Sequence, residues 1–183
     1  MEKIFDVIWT ILQNGLFIQV LGFAGLMIQV FSMQRKDYGK VIYMTISAEL
    51  IFGLQLLLLG AYTGAATNFA ACCTNLVYYF LIKHNKRTWP FQIIFCGLFI
   101  LIGIYTWQGP MSILVILAKI VSTISYGMKH TKMIRRLKLV SMPMWLIYDI
   151  SAGTIGGALN DVLVICSTII GMIRLDRKKK LKR

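Results

Sequence analysis

Acidic residues are scarce in this chain, and so is charge of any sign. Seven Asp and Glu stand against twenty Lys and Arg, and charged residues make up only 15% of the 183, where soluble proteins average about 25%. Apolar residues reach 57% and the mean hydropathy is +0.70. So much apolar surface cannot fit inside one small soluble core, so lipid must cover it. Histidine is nearly missing: His84 and His130 both lie in basic connections. With no HExxH, no metal-ligand triad and no nucleophile motif, the chain does not read as an enzyme, and no metal or cofactor is expected. The cysteines Cys72, Cys73, Cys96 and Cys166 all fall in apolar segments. None has the spacing of a zinc site, and they read as small packing residues. A cleavable signal peptide is not expected either, because MEKIFDV is mixed in charge and no small-residue cleavage site follows.

What is present is a series of apolar runs. A membrane helix needs about 20 such residues. Seven runs qualify: Gly15–Met33, Val41–Leu59, Thr63–Ile82, Trp89–Trp107, Met111–Met128, a short Leu139–Ala152 and Ile155–Ile173. Met1–Asn14 reads either as an interfacial helix or as the start of the first span. Eighteen of the twenty Lys and Arg lie after the first, third, fifth and seventh runs, and the other connections have none. Cytoplasmic loops collect such residues. The net charge of +13 is therefore assigned to the cytoplasmic face and anionic lipid, not to nucleic acid, for which no motif is present. The pattern predicts an inner-membrane protein with its N-terminus outside and its C-terminus in the cytoplasm. Trp89 and Trp107 bracket the fourth span as interfacial aromatics do. The basic tail reads as an orientation and lipid anchor, or alternatively as a docking site.

The chain also repeats weakly. At a shift of 92 residues GAATN (64–68) falls on GGALN (156–160), Lys40 on Lys132, Ile42 on Ile134 and Leu54 on Leu146. Spans 1–3 map onto spans 5–7 with basic and uncharged loops in phase, and the odd fourth span gives both units the same orientation. The expected fold is all-α: two parallel three-helix bundles, 15–83 and 111–174, joined by a linker helix at 89–107 and followed by a tail from 175. Parallel repeats of this kind occur in secondary transporters, with the solute between them.

The run WLIYDISAGTIGG (Trp145–Gly157), LVILAKIVST (Leu114–Thr123) before it, LLLLGAYTGAATN (Leu56–Asn68) and the ending GMIRLDRKKK together resemble the bacterial inner-membrane family called YgjV, over nearly the whole chain. The family is similar in architecture to the PQ-loop transporters, which include the SWEET sugar carriers, and to the PnuC vitamin carriers. The resemblance implies the 3+1+3 arrangement. The Pro-Gln pair of PQ-loop proteins is missing: the first span has no proline and the fifth only Pro110 at its outer end. That argues against SWEET-type hinging and against sugar. SWEET carriers use paired asparagines from the third helix of each repeat; Asn68 and Asn160 match by position, and Asn75 lies nearer the midplane.

Ionisable residues in a span need a partner, a cavity or a role. Glu49 lies about 15 Å below the turn at Gly60, and Lys119 about as far below Pro110, both near mid-membrane. They are expected either to face a shared central cavity or to form a static pair. Asp149 and Asp161 flank the glycine turn only about 6–8 Å below the surface. Asp149 is the one expected to act at the outer mouth; Asp161 is expected to reach interfacial water or cap a helix. Arg174 ends the seventh span and snorkels. Gln19, Gln29, Gln55, Thr74, Ser122 and Ser125 line a polar path or bond between helices. Trp145 either packs or stacks on a ring-bearing solute. The leading expectation is a carrier of a small polar solute, with lipid as its surroundings and a homo-oligomer compatible with it. The alternative is a receptor or assembly scaffold on the same fold.

Overall fold

The computed structural model describes residues 15–176. The expectations for Met1–Asn14 and for the tail 177–183 lie outside the described residues. The chain forms α1 (Gly15–Met33), α2 (Tyr38–Leu58), α3 (Tyr62–Lys83), α4 (Trp89–Tyr105), α5 (Met111–Tyr126), α6 (Thr131–Ser151) and α7 (Ile155–Gly171), then a π-helical turn at Met172–Asp176. No strand occurs among the described residues. Six of the seven helices begin and end within three residues of the expected spans.

The sixth is a correction. It begins at Thr131, eight residues before Leu139. Lys132, Arg135, Arg136 and Lys138 therefore stand on a helix and not in a loop. A hydropathy window rejects such a stretch, but Arg135 is only 2% and Lys138 only 7% exposed. Tertiary partners let these charges enter the bundle. Pro143 sits inside the same helix, where it removes one backbone hydrogen bond.

Polarity is arranged inside out. Leu16 is 76% and Ile104 63% exposed, while Thr45, Thr63 and Ser141 are 0% exposed. An apolar surface over a polar interior is the reverse of a soluble core and suits a hydrocarbon solvent. The helices α1, α2 and α3, together with the stretch Gly157–Leu175, are long and apolar enough to cross a membrane; α4 and α5 are apolar but shorter. The three helices α1–α3 pack in sequence, as do α5–α7; α1 also packs on α7, α3 on α5, and α4 on α3 and α5. Of α4 only Phe99 and Gly103 are buried, so it is peripheral.

The two halves share their turns. Gly60 (φ +75°) follows α2 and Gly153 (φ +71°) follows α6. Behind each, an amide reaches back over the turn: Ala61 N–H to Leu56 O and Thr154 N–H to Asp149 O, both 2.9 Å. This is a Schellman-type helix end, and its left-handed residue is glycine because a Cβ is strained there. These glycines are 93 residues apart, as are the starts of α2 and α6 (38 and 131) and of α3 and α7 (62 and 155). This spacing of 93 stands beside the 92-residue match of the letters; at 93, Asn68 lies opposite Asp161 and Thr67 opposite Asn160.

Loops of like charge gather at one end. At the basic end Tyr38 OH donates to Tyr126 O at 2.7 Å. Arg135 donates from Nε to Met33 O at 3.2 Å and from Nη2 to Arg35 O at 2.7 Å. Met33 and Tyr126 end α1 and α5 and are themselves 93 residues apart. Each carbonyl is thus capped by the second helix of the other half. Gln34 Nε2 adds bonds to Ser167 O at 2.8 Å and to Ser167 Oγ at 2.9 Å. At the opposite end the Thr63 hydroxyl donates to Thr106 O, and Gln108 Nε2 donates to Gly60 O at 2.9 Å. Gly64 there lies against Leu56 and Tyr148; a Cβ on it would stand 3.1 Å from the Tyr148 hydroxyl.

Candidate functional site

Between these two closures lies a cavity of about 50 Å³. Every helix except α4 contributes to its wall: Gln29 from α1; Glu49, Phe52, Gln55 and Leu56 from α2; Asn68 from α3; Lys119 and Ser122 from α5; Lys138, Met142, Trp145 and Asp149 from α6; Gly157, Asn160 and Asp161 from α7, with Thr154 at the turn. That volume holds a few waters or a small ion.

One side of the wall is a closed polar network. Lys119 Nζ pairs with Glu49 Oε1 at 3.2 Å and donates to Asn68 Oδ1 at 2.8 Å. Asn75 Nδ2 donates to the other Glu49 oxygen, Oε2, at 2.8 Å. The Lys119 ammonium also lies 5.3 Å from the centroid of the Trp145 ring, within the reach of a cation–π contact. Both Glu49 oxygens and the Lys119 ammonium have partners, so two buried charges far apart in the chain are held in low dielectric without an orphan.

The other side is not closed. Asp149 is 7%, Asn160 6% and Asp161 3% exposed. Asn160 Nδ2 donates to Asp161 Oδ1 at 3.2 Å. Asp149 Oδ1, Asn160 Oδ1 and Asp161 Oδ2 have no hydrogen-bond donor among the described residues. Gly157 makes this possible: a Cβ there would collide with Asp149 Oδ2 and with Thr154 Oγ1, which stands 2.6 Å from that point. Lys138 lines the same wall, with its ammonium 5.4 Å from the Tyr126 ring.

The residues expected from sequence therefore meet at one place. Glu49, Lys119, Asn68 and Asn75 form the network, Asn75 standing behind the wall. Asn160, Asp149 and Trp145 line the cavity. One expectation changes. Asp161 does not reach interfacial water: it is buried and lines the cavity. The Trp145 ring faces Lys119 and meets Tyr148 edge-on at 5.8 Å. A loop reading of the basic stretch leaves Lys138 out, although it stands on α6. Its signal was available: Lys138, Met142, Trp145 and Asp149, at steps of four, three and four, form one helix face. Among the described residues no group of three or more His, Cys, Asp or Glu gathers as a metal-ligand set.

A protein-family profile described as a bacterial inner membrane protein, Imp-YgjV, matches residues 16–179. No curated protein and no solved structure matches the chain.

Proposed function

We propose, from the premise that the chain belongs to the YgjV family of bacterial inner membrane proteins, that it carries a small polar solute by alternating access between α1–α3 and α5–α7. The observation that carries this reading is the buried polar cavity at the seam of the two halves, with closures on both sides. A wall built from six helices changes shape whenever one half rocks against the other. The shared 93-residue register and the reciprocal capping of Met33 and Tyr126 support two related units about an axis along the membrane normal. Pro143, between Lys138 and Asp149, gives α6 a point of bending in a chain whose first and fifth spans both lack the PQ-loop proline. The basic end is read as cytoplasmic by its Lys and Arg. In this reading the protein is a carrier and not an enzyme. A second reading, a receptor or scaffold, is favoured by one feature: Glu49 and Lys119 have all their charged atoms partnered, as a static lock between the halves would.

The test is a thermal-shift screen of the detergent-purified protein against a metabolite library, with Glu49→Gln beside it. A solute that binds the folded state raises its melting temperature. Hits that disappear in Glu49→Gln are expected, followed by uptake of the hit into proteoliposomes. A folded sample with no hit selects the receptor or scaffold reading.

A further inference from the structure

We infer that Asp149, Asn160 and Asp161 form a binding site for one small monovalent cation, an alkali ion or an ammonium group. The inference names a ligand class for the cavity proposed above as the transport site, and it rests on that cavity being functional. Three side-chain oxygens, one from α6 and two from α7, are buried, lack donors among the described residues and line one space. A buried oxygen without a donor costs free energy. A proton on one carboxylate, donated to a second of these oxygens, would satisfy two of the three and leave one. A cation satisfies all of them together, and carboxylate and amide oxygens are the ligands that hard cations and ammonium donors take.

Charge sets the valence. Glu49, Asp149, Asp161, Lys119 and Lys138 all line the cavity. With all five ionised, the wall carries one net negative charge. Neither lysine closes the group: Lys119 is held by Glu49 and Asn68, Lys138 lies against the Tyr126 ring, and among the described residues no ion pair reaches Asp149 or Asp161. The cavity of about 50 Å³ admits a bare ion or a methylammonium head; choline is bulkier, and its quaternary ammonium has no N–H to donate to these oxygens.

Full-length protein in detergent is titrated with NaCl, KCl and methylammonium chloride, with choline chloride holding ionic strength constant. The expected result is a saturable rise in melting temperature, about 5 °C or more at a hundredfold excess over the dissociation constant, absent in choline. A response to Na⁺ or K⁺ alone assigns a coupling ion; a response to methylammonium assigns the amine end of a solute. Asp149→Asn and Asp161→Asn are expected to abolish the rise. Asn160→Ala keeps both carboxylates and guards against a variant that does not fold; it should raise the half-saturating concentration about tenfold, a loss of about one oxygen ligand. Equal shifts in choline, or an unchanged half-saturating concentration in all three variants, would overturn the site. The metabolite screen separates the two claims. Hits without a cation response remove the cation site alone, and a cation response without hits removes the transport reading alone.

Discussion

Glu49 and Lys119 are buried about as deeply as Asp149 and Asp161, at 7%, 3%, 7% and 3% exposure, and all four face one cavity. The first pair joins α2 to α5 through a network in which each charged atom has a partner. The second pair sits on consecutive helices and leaves three oxygens unanswered, counting that of Asn160. Burial alone therefore does not say what a charge in a membrane bundle is for. A satisfied charge binds helix to helix, and an unsatisfied one is available to something that arrives.

The largest effect should come from breaking the satisfied side. Lys119→Met strands Glu49 and is expected to cost about 3–5 kcal/mol, read as a fall in melting temperature of about 10 °C in detergent. Adding Glu49→Gln to it should recover much of that loss. A strictly additive double mutant would show that the two residues are not coupled.

Next in size is Gly157→Ala, whose Cβ would collide with Asp149 Oδ2. It should cost about 1–3 kcal/mol and push the Asp149 side chain aside, so the cation response is lost along with stability. A variant as stable as the parent would show that Asp149 does not stand against Gly157.

The closure at the basic end ranks third. Tyr38→Phe removes the donor to Tyr126 O and should lower stability by about 0.5–1.5 kcal/mol. Proteolysis or cysteine labelling near Ser167 should rise, since this bond is one of several holding that end shut. No change in accessibility would mean that Tyr38 is not part of the closure.

The smallest effect should be Asp161→Asn in choline buffer, within about 1 kcal/mol of the parent or more stable, because replacing an uncompensated buried charge can be neutral or favourable. A loss as large as that of Lys119→Met would erase the difference between the two sides. It would show that Asp161 is held as firmly as Glu49.

Much of this was legible before the fold. Glu49, Lys119, Asn68, Asn75, Asn160, Asp149 and Trp145 stand out because polar residues are rare in apolar runs, and the helix ends follow from hydropathy and glycine. Their depths could be estimated because an α-helix rises a fixed distance per residue. The misses have a common cause. Lys138 and Arg135 were read as loop residues because hydropathy charges every lysine and arginine the full cost of lipid, whereas here a ring and two backbone carbonyls receive them. Asp161 has the depth of a residue that reaches interfacial water or caps a helix, and depth along one helix cannot register that its neighbours in the fold enclose it.

What the sequence by itself determined is the class of the protein, its helices, its charge asymmetry and the short roster of polar residues that the interior must hold. These are local quantities, set by transfer free energies and by the backbone limits of glycine. The tertiary structure alone decided which charges are partnered. Lys119 meets Glu49 across 70 positions of the chain, and Arg135 meets Met33 across 102. Pairing depends on distances between helices, which no single run of residues encodes, and that pairing is what separates the lock from the proposed site.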